Sequence, residues 1–217
     1  IEAMERSGQL LRRASTILFN LIGTDTNPAR QKLQADYAAR LAAHSDAISL
    51  NPKLFVRIKT LNDQLPQLKL DPEQRRLVER TYKRFVRAGA LLPAEQQARI
   101  KVINGELAEL GARFSEKVLA EVNDSAVLVD TEAELAGLSK AQIAAASAAA
   151  EKKGYKGKFL IALLNTTDQP VLSQLENRAT RERVFKASIA RGSRGNAHDT
   201  TGIIAQVVKL RAEAAQM

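Results

Sequence analysis

The sequence contains no cysteine, which excludes disulfides, thiolate metal sites and cysteine nucleophiles. It has two histidines, His44 and His198, far apart in the chain, so a histidine-rich metal site within it is also excluded. Gly and Pro together supply 17 of 217 residues, too few for a collagen-like or linker-like chain. No apolar run approaches the ~20 residues of a membrane-spanning helix. A basic n-region followed by an apolar h-region is missing. Also missing are His-Glu-x-x-His, a Walker A loop, Gly-x-Gly-x-x-Gly and the Gly-x-Ser-x-Gly elbow, and with them the metal, phosphate and nucleophile chemistry they carry. The lack of cysteine fits the cytosol and the periplasm equally.

What remains is a chain that is 45% apolar and 26% charged. Its length matches one domain or two small ones, and folding can bury roughly 70% of the unfolded surface. The chain enters a helical pattern at Ile1 and is still inside one at Met217, without a Gly or Pro stop. We read it as a piece of a longer protein.

Helical spacing dominates. Leu10, Leu11, Ala14, Ile17, Leu18 and Leu21 form a first apolar stripe. Asn27-Pro28, Asn51-Pro52 and Asp71-Pro72 each set an N-cap acceptor before a proline at the first helical position. Gln74 completes a capping box with Asp71. The stripes that follow are Leu33, Tyr37 and Leu41; Leu54, Phe55, Ile58, Leu61 and Leu65; and Leu77, Val78, Tyr82, Phe85, Val86 and Gly89. A fifth helix is predicted from Pro93 to about Val122, roughly 45 Å long. The pattern then changes: residues 126–129 and 158–164 read as strands, separated by an alanine-rich helix that starts at the Ser139-x-x-Gln142 capping box and stops at Gly154. The segment 165–170 reads as a turn. Helices are predicted near 171–176 and 180–191, then a loop at 192–195 and a last helix from about Asn196. The fold class is mainly α, with a small two- or three-stranded β element near residues 126–164.

The net charge of +9 is uneven. Residues 52–101 hold 12 Lys/Arg against 5 Asp/Glu, and residues 170–217 hold 8 against 4. Arg76, Arg80, Lys83, Arg84 and Arg87 share one side of a helix and so could track phosphates. Tyr82 and Phe85 belong instead to the apolar stripe and are not interleaved for base stacking. A solvated charged face is the simpler reading. The alternative reading of the charge is a standalone basic helical module that binds nucleic acid or an acidic protein partner. His44-Ser45-Asp46 holds triad letters, but a triad needs side chains converging from separate positions, so it reads as a helix-end loop. His198-Asp199 gives too few ligands for zinc and reads as a helix-terminal pair.

Several phrases together resemble the thimet oligopeptidase family of zinc metallopeptidases, in particular the amino-terminal region of its bacterial peptidyl-dipeptidases. They are AAHSDAISLNPKLFVRI at 42–58, FVRAGALL at 85–92, INGELAELGARFSEKVL at 103–119, AELAGLSKAQIAAA at 133–146 and ALLNTTDQPVLSQLENRATRERVFKASIARG at 162–192. None is a catalytic motif; the order of the phrases carries the resemblance. It implies a mainly helical, neurolysin-like lobe over residues 1–217, truncated at its carboxy end: long helices over 1–122, a small α+β insert over 123–169 and helices over 170–217. In the family, zinc is held by His-Glu-x-x-His and a distant glutamate in the carboxy-terminal portion, and no position here matches them. The resemblance therefore implies no catalytic and no metal residue in this chain. It implies zinc and the peptidase chemistry in the parent protein, cleavage of short peptides with release of carboxy-terminal dipeptides, and a channel-wall role for this lobe. The implied partners are the carboxy-terminal catalytic lobe of the same protein and short peptide substrates, with no nucleic acid and no membrane; the compartment reads as cytoplasmic, with the periplasm as the other option. Asn165, Thr166, Thr167 and Arg178 are the candidate channel residues; on the plainer reading 165–167 is a turn and Arg178, Arg181, Arg183 and Arg191 are exposed helix charges. Alone, the chain is expected to bind no zinc and to cleave nothing.

Overall fold

A computed structural model describes residues 1–164 and 168–217. It is mainly α, with one two-stranded sheet. The helices are α1 (Glu2–Arg6), α2 (Gln9–Thr24), α3 (Pro28–Ser49), α4 (Pro52–Asp63), α5 (Pro72–Arg87), α6 (Ala94–Asp124), α7 (Lys140–Lys152), α8 (Asp168–Gln174), α9 (Arg178–Ile189) and α10 (Thr201–Ala215). The strands are β1 (Val127–Val129) and β2 (Phe159–Ile161), and a short 3-10 turn covers Glu132–Leu135. The chain divides into two compact units, residues 1–113 with 205–217, and residues 114–204.

The proline-led N-caps act as the sequence predicts. Asn27, Asn51 and Asp71 accept from the backbone N–H groups of Arg30, Leu54 and Gln74, and Asp71 with Gln74 closes the capping box. Ser139 with Gln142 does the same at α7. Several boundaries differ. Helix α8 begins at Asp168, inside the segment read as a turn, and β2 covers only Phe159–Ile161 of the strand read over 158–164. The first helical stretch breaks at Ser7-Gly8, where Gly8 takes a left-handed conformation. The last helix begins at Thr201, not near Asn196. Its start is held by Asp199, whose carboxylate accepts from the Thr201 N–H at 2.9 Å and the Gly195 N–H at 2.8 Å. Local side-chain acceptors of this kind compete with helix formation.

In the first unit a small core forms where α4 meets α5. Phe55, Ile58 and Phe85 are buried there, with Met4, Leu54, Tyr82, Val86 and Ala90 packed around them. Phe55 stacks with both Tyr82 and Phe85, at ring-centroid distances of 6.0 and 6.4 Å. A bidentate pair joins α6 to α10 in this unit: Arg99 Nε and one terminal nitrogen donate to the Glu213 carboxylate at 2.5 and 2.8 Å. Asp46, buried near the end of α3, accepts from Asn104 Nδ2 at 2.8 Å.

In the second unit the strands pair antiparallel, Val127 opposite Ile161 and Val129 opposite Phe159. Val127, Val129, Leu135, Ile161, Leu163, Val171, Leu175 and Val184 make its core. The alanine-rich helix α7 packs on β2, burying Ala146 and Ala150. Gly137 turns the chain with φ +95°, and a Cβ there would lie 2.1 Å from the Gln174 carbonyl oxygen. Only glycine fits so close an approach.

Candidate functional site

Helix α9 carries four arginines through and beyond its length, and they do different work. Arg181 donates to the Leu175 carbonyl at 2.5 Å. Arg183 donates to the Leu128 carbonyl and pairs with Glu134 at 3.4 Å. Arg191 donates to the Leu163 carbonyl at 2.8 Å. Each satisfies a backbone acceptor in or just beyond a strand or helix, which a guanidinium does well because it carries five donors. Arg183 is exposed, as read from the sequence, while Arg181 and Arg191 are half-buried, and all three also hold backbone carbonyls.

Arg178 differs. It is the first helical residue after the Asn177 N-cap and is exposed. Among the described residues no hydrogen bond or ion pair engages its guanidinium. It lines a shallow concavity of ≈ 500 Å³ with Leu172, Arg181, Glu182 and Phe185. Phe185 is 51% exposed, and Ile189 one turn further on is 64% exposed. Residues 178, 182, 185 and 189 share one helical face, opposite the buried Thr180 and Val184. Glu182 is neutralised by Lys186 at 2.6 Å, whose hydrogen bond and charge hold its carboxyl below the usual carboxylate range. The concavity therefore offers an open cation beside apolar surface. Asn165, Thr166 and Thr167, the other candidate channel residues, lie outside the described residues.

A second polar cluster has no counterpart in the sequence reading. Lys117, Glu121 and Asp124 follow one another along one face of α6 and hold the loop 191–200. Lys117 donates to the Ala197 carbonyl at 2.5 Å. His198 Nε2 lies 2.8 Å from Asp124 Oδ2. Glu121 is 1% exposed; it pairs with Arg194 Nε at 2.7 Å and accepts from Asn196 Nδ2 at 3.3 Å. Burial raises its pKa, but hydrogen bonds from Ser125 and Asn196, the Arg194 charge and the Gly192 N–H outweigh burial and leave it below the ordinary value. Spacing on α6 alone carries no signal of Arg194, Asn196, Ala197 and His198, because they come from 73 to 80 residues away.

The remaining motif residues find ordinary places. His44, Ser45 and Asp46 lie within α3, not in a helix-end loop; His44 and Ser45 are exposed while Asp46 points inward to Asn104. Arg76, Arg80, Lys83, Arg84 and Arg87 face solvent, and Arg76 and Arg84 pair with Glu79 and Glu5. Among the described residues no three His, Asp or Glu side chains come together as a metal-binding group, so the residues present do not build a zinc site. No helix among them is long and apolar enough to cross a membrane.

Comparison with known proteins decides the family. The dipeptidyl carboxypeptidase of Escherichia coli (strain K12) is 41% identical over 217 residues, all of this chain and 32% of its own length. That of Salmonella typhimurium is 42% identical over 209 residues, 96% of this chain and 31% of its own. The chain is a homologue of the dipeptidyl carboxypeptidases and oligopeptidases A, the thimet oligopeptidase family. Oligopeptidase A of Salmonella typhimurium matches more distantly, 27% identical over 100% of this chain and 32% of its own length. No family model matches the chain. The chain spans about a third of the length of these relatives. Family membership and the mainly helical fold with a small β element agree with the sequence reading; the sheet has two strands.

Proposed function

We propose that this chain is the amino-terminal, non-catalytic lobe of a zinc metallopeptidase that acts on short peptides and releases carboxy-terminal dipeptides. The observation that carries this reading is the 41% identity to a dipeptidyl carboxypeptidase across the whole of the chain. The zinc and the bond-breaking residues then belong to the part of the polypeptide beyond this chain, and no chemical step is assigned to residues 1–217. The parent's channel would take one wall from this lobe.

The α8–α9 concavity supports the wall role. An extended peptide presents alternating apolar side chains and, at its end, a carboxylate. Phe185, Ile189 and Leu172 match the first, and Arg178 matches the second through charge-assisted pairing. The basic-module alternative is not favoured: the cations of α5 are a solvated face, and its aromatics point inward to Phe55.

The test is kinetic, in the parent polypeptide. Arg178→Ala is expected to raise KM for short peptides about threefold to tenfold with kcat unchanged, the signature of lost ground-state binding. Unchanged kinetics across a peptide panel would remove α8–α9 from the channel.

A further inference from the structure

The first helical hairpin leaves a face uncovered. Helices α2 and α3 are joined by three residues, 25–27, and pack on each other, so they run antiparallel. Along their contact Ser15, Leu18 and Ile22 of α2 are half-buried, as are Gln31, Gln34, Ala38 and Leu41 of α3. No residue of α2 is buried. The apolar stripe read from its sequence, Leu18 excepted, stands open: Leu10 is 82% exposed and Ile17 60%, with Ala14 and Leu21 in line.

The two helices present one continuous surface. Residues 10, 14, 17 and 21 sit about 100° around α2 from its contact line, and Leu33 and Tyr37 sit about 100° around α3 from its own. Both rotations have the same sense, and the helices are antiparallel, so the two stripes fall on the same side of the hairpin. Leu33 and Tyr37 are 41% and 39% exposed. Cations edge this surface. Arg13 lies three residues from Leu10 and four from Ile17, and Arg40 sits over the Tyr37 ring at 4.6 Å. Helix α2 carries Arg12 and Arg13 and no acid.

We propose that this face seats an amphipathic helix with acidic flanks, supplied by the part of the polypeptide beyond this chain. The inference rests on the reading that the chain is one lobe of a longer peptidase, whose relatives are three times its length. Two features select that occupant. Contiguous apolar stripes on a two-helix platform fit the i, i+3, i+4, i+7 anchors of a third helix. The bordering Arg13 and Arg40 fit acids on that helix and no cations. Isolated exposed apolar residues need no such partner. Val56 on α4 is one: it is 62% exposed, as open as Ile17, but stands among Lys53, Arg57 and Thr60.

That equality makes the experiment. In the full parent polypeptide, with any native cysteine replaced, Ile17→Cys and Val56→Cys each introduce one thiol, and its reaction with a maleimide is timed. The thiol at 17 is expected to react at least about tenfold more slowly than that at 56, because burial demands local opening. Adding Arg13→Glu is expected to speed the reaction at 17 about threefold by repelling the acidic flank. Equal rates at 17 and 56 in a parent that cleaves peptides overturn the proposal and leave the peptidase reading intact. Protection at 17 that vanishes on dilution assigns the face to a second copy, and protection that requires anionic vesicles assigns it to a membrane surface; either overturns it. A parent with no peptidase activity removes the peptidase reading on its own evidence, while the rates still report whether the face is covered.

Discussion

At the scale of single residues, two buried carboxylates answer pH in opposite directions. Glu121 is held below its ordinary value by donors that outweigh its burial. Its contribution to stability is thus complete above the ordinary carboxylate range and is lost as pH falls through its folded-state value. Glu121→Gln keeps the volume but removes the charge that organises Arg194 and Asn196. It is expected to cost about 1–3 kcal/mol at pH 7, read as a lower denaturant midpoint, and to flatten the acid limb of the stability curve. Asp46 is raised by burial, which outweighs the Asn104 hydrogen bond and the nearby Lys101. The folded chain holds that proton more tightly than the unfolded one, so the corresponding stability is complete below the ordinary carboxylate value and is lost as pH rises through the folded one. Asp46→Asn keeps an acceptor for Asn104 Nδ2 and is expected to leave stability unchanged or higher at pH 7, with the difference fading toward acid pH. A midpoint that drops at neutral pH would contradict this account. Neither carboxylate was legible in the sequence. Asp46 stood beside His44 and Ser45 as triad letters, and its real partner is 58 residues away.

At the scale of elements, the helices were legible wherever a cap announced them. Asn27, Asn51, Asp71 and Ser139 bond to the backbone N–H groups that their spacing predicts. Among the boundaries that escaped, those at Ser7-Gly8 and at Thr201 are set by a single left-handed glycine and by Asp199. The stripe on α2 was legible as amphipathic but not as exposed, because periodicity shows that a face is apolar and is silent on what covers it. The arginines of α9 were legible as charges and not as carbonyl donors, since Leu128 and Leu163 reach them only through the fold. Gly137 is the tightest point of the β element. Gly137→Ala would place a methyl group against the Gln174 carbonyl in a positive-φ conformation, and we expect a loss of at least about 2 kcal/mol, measured by thermal unfolding. A neutral result would mean that the 3-10 turn and α8 approach each other less closely than described.

At the scale of the whole molecule, the family came from phrases spread over the chain and not from any site. That is what a non-catalytic lobe should look like. The described residues serve caps, core and carbonyl satisfaction, and under the proposed function the residues that break bonds lie elsewhere in the polypeptide. Arg178 has no structural duty among the described residues and lines the α8–α9 concavity, which is why it carries the channel-wall proposal. The most direct test is to assay residues 1–217 and the full parent polypeptide side by side for zinc content and for dipeptide release from short peptides, with and without a chelator. The account predicts zinc and chelator-sensitive release in the parent, and neither in residues 1–217. Stoichiometric zinc with chelator-sensitive cleavage by residues 1–217 alone, or a parent with no such activity, would contradict it.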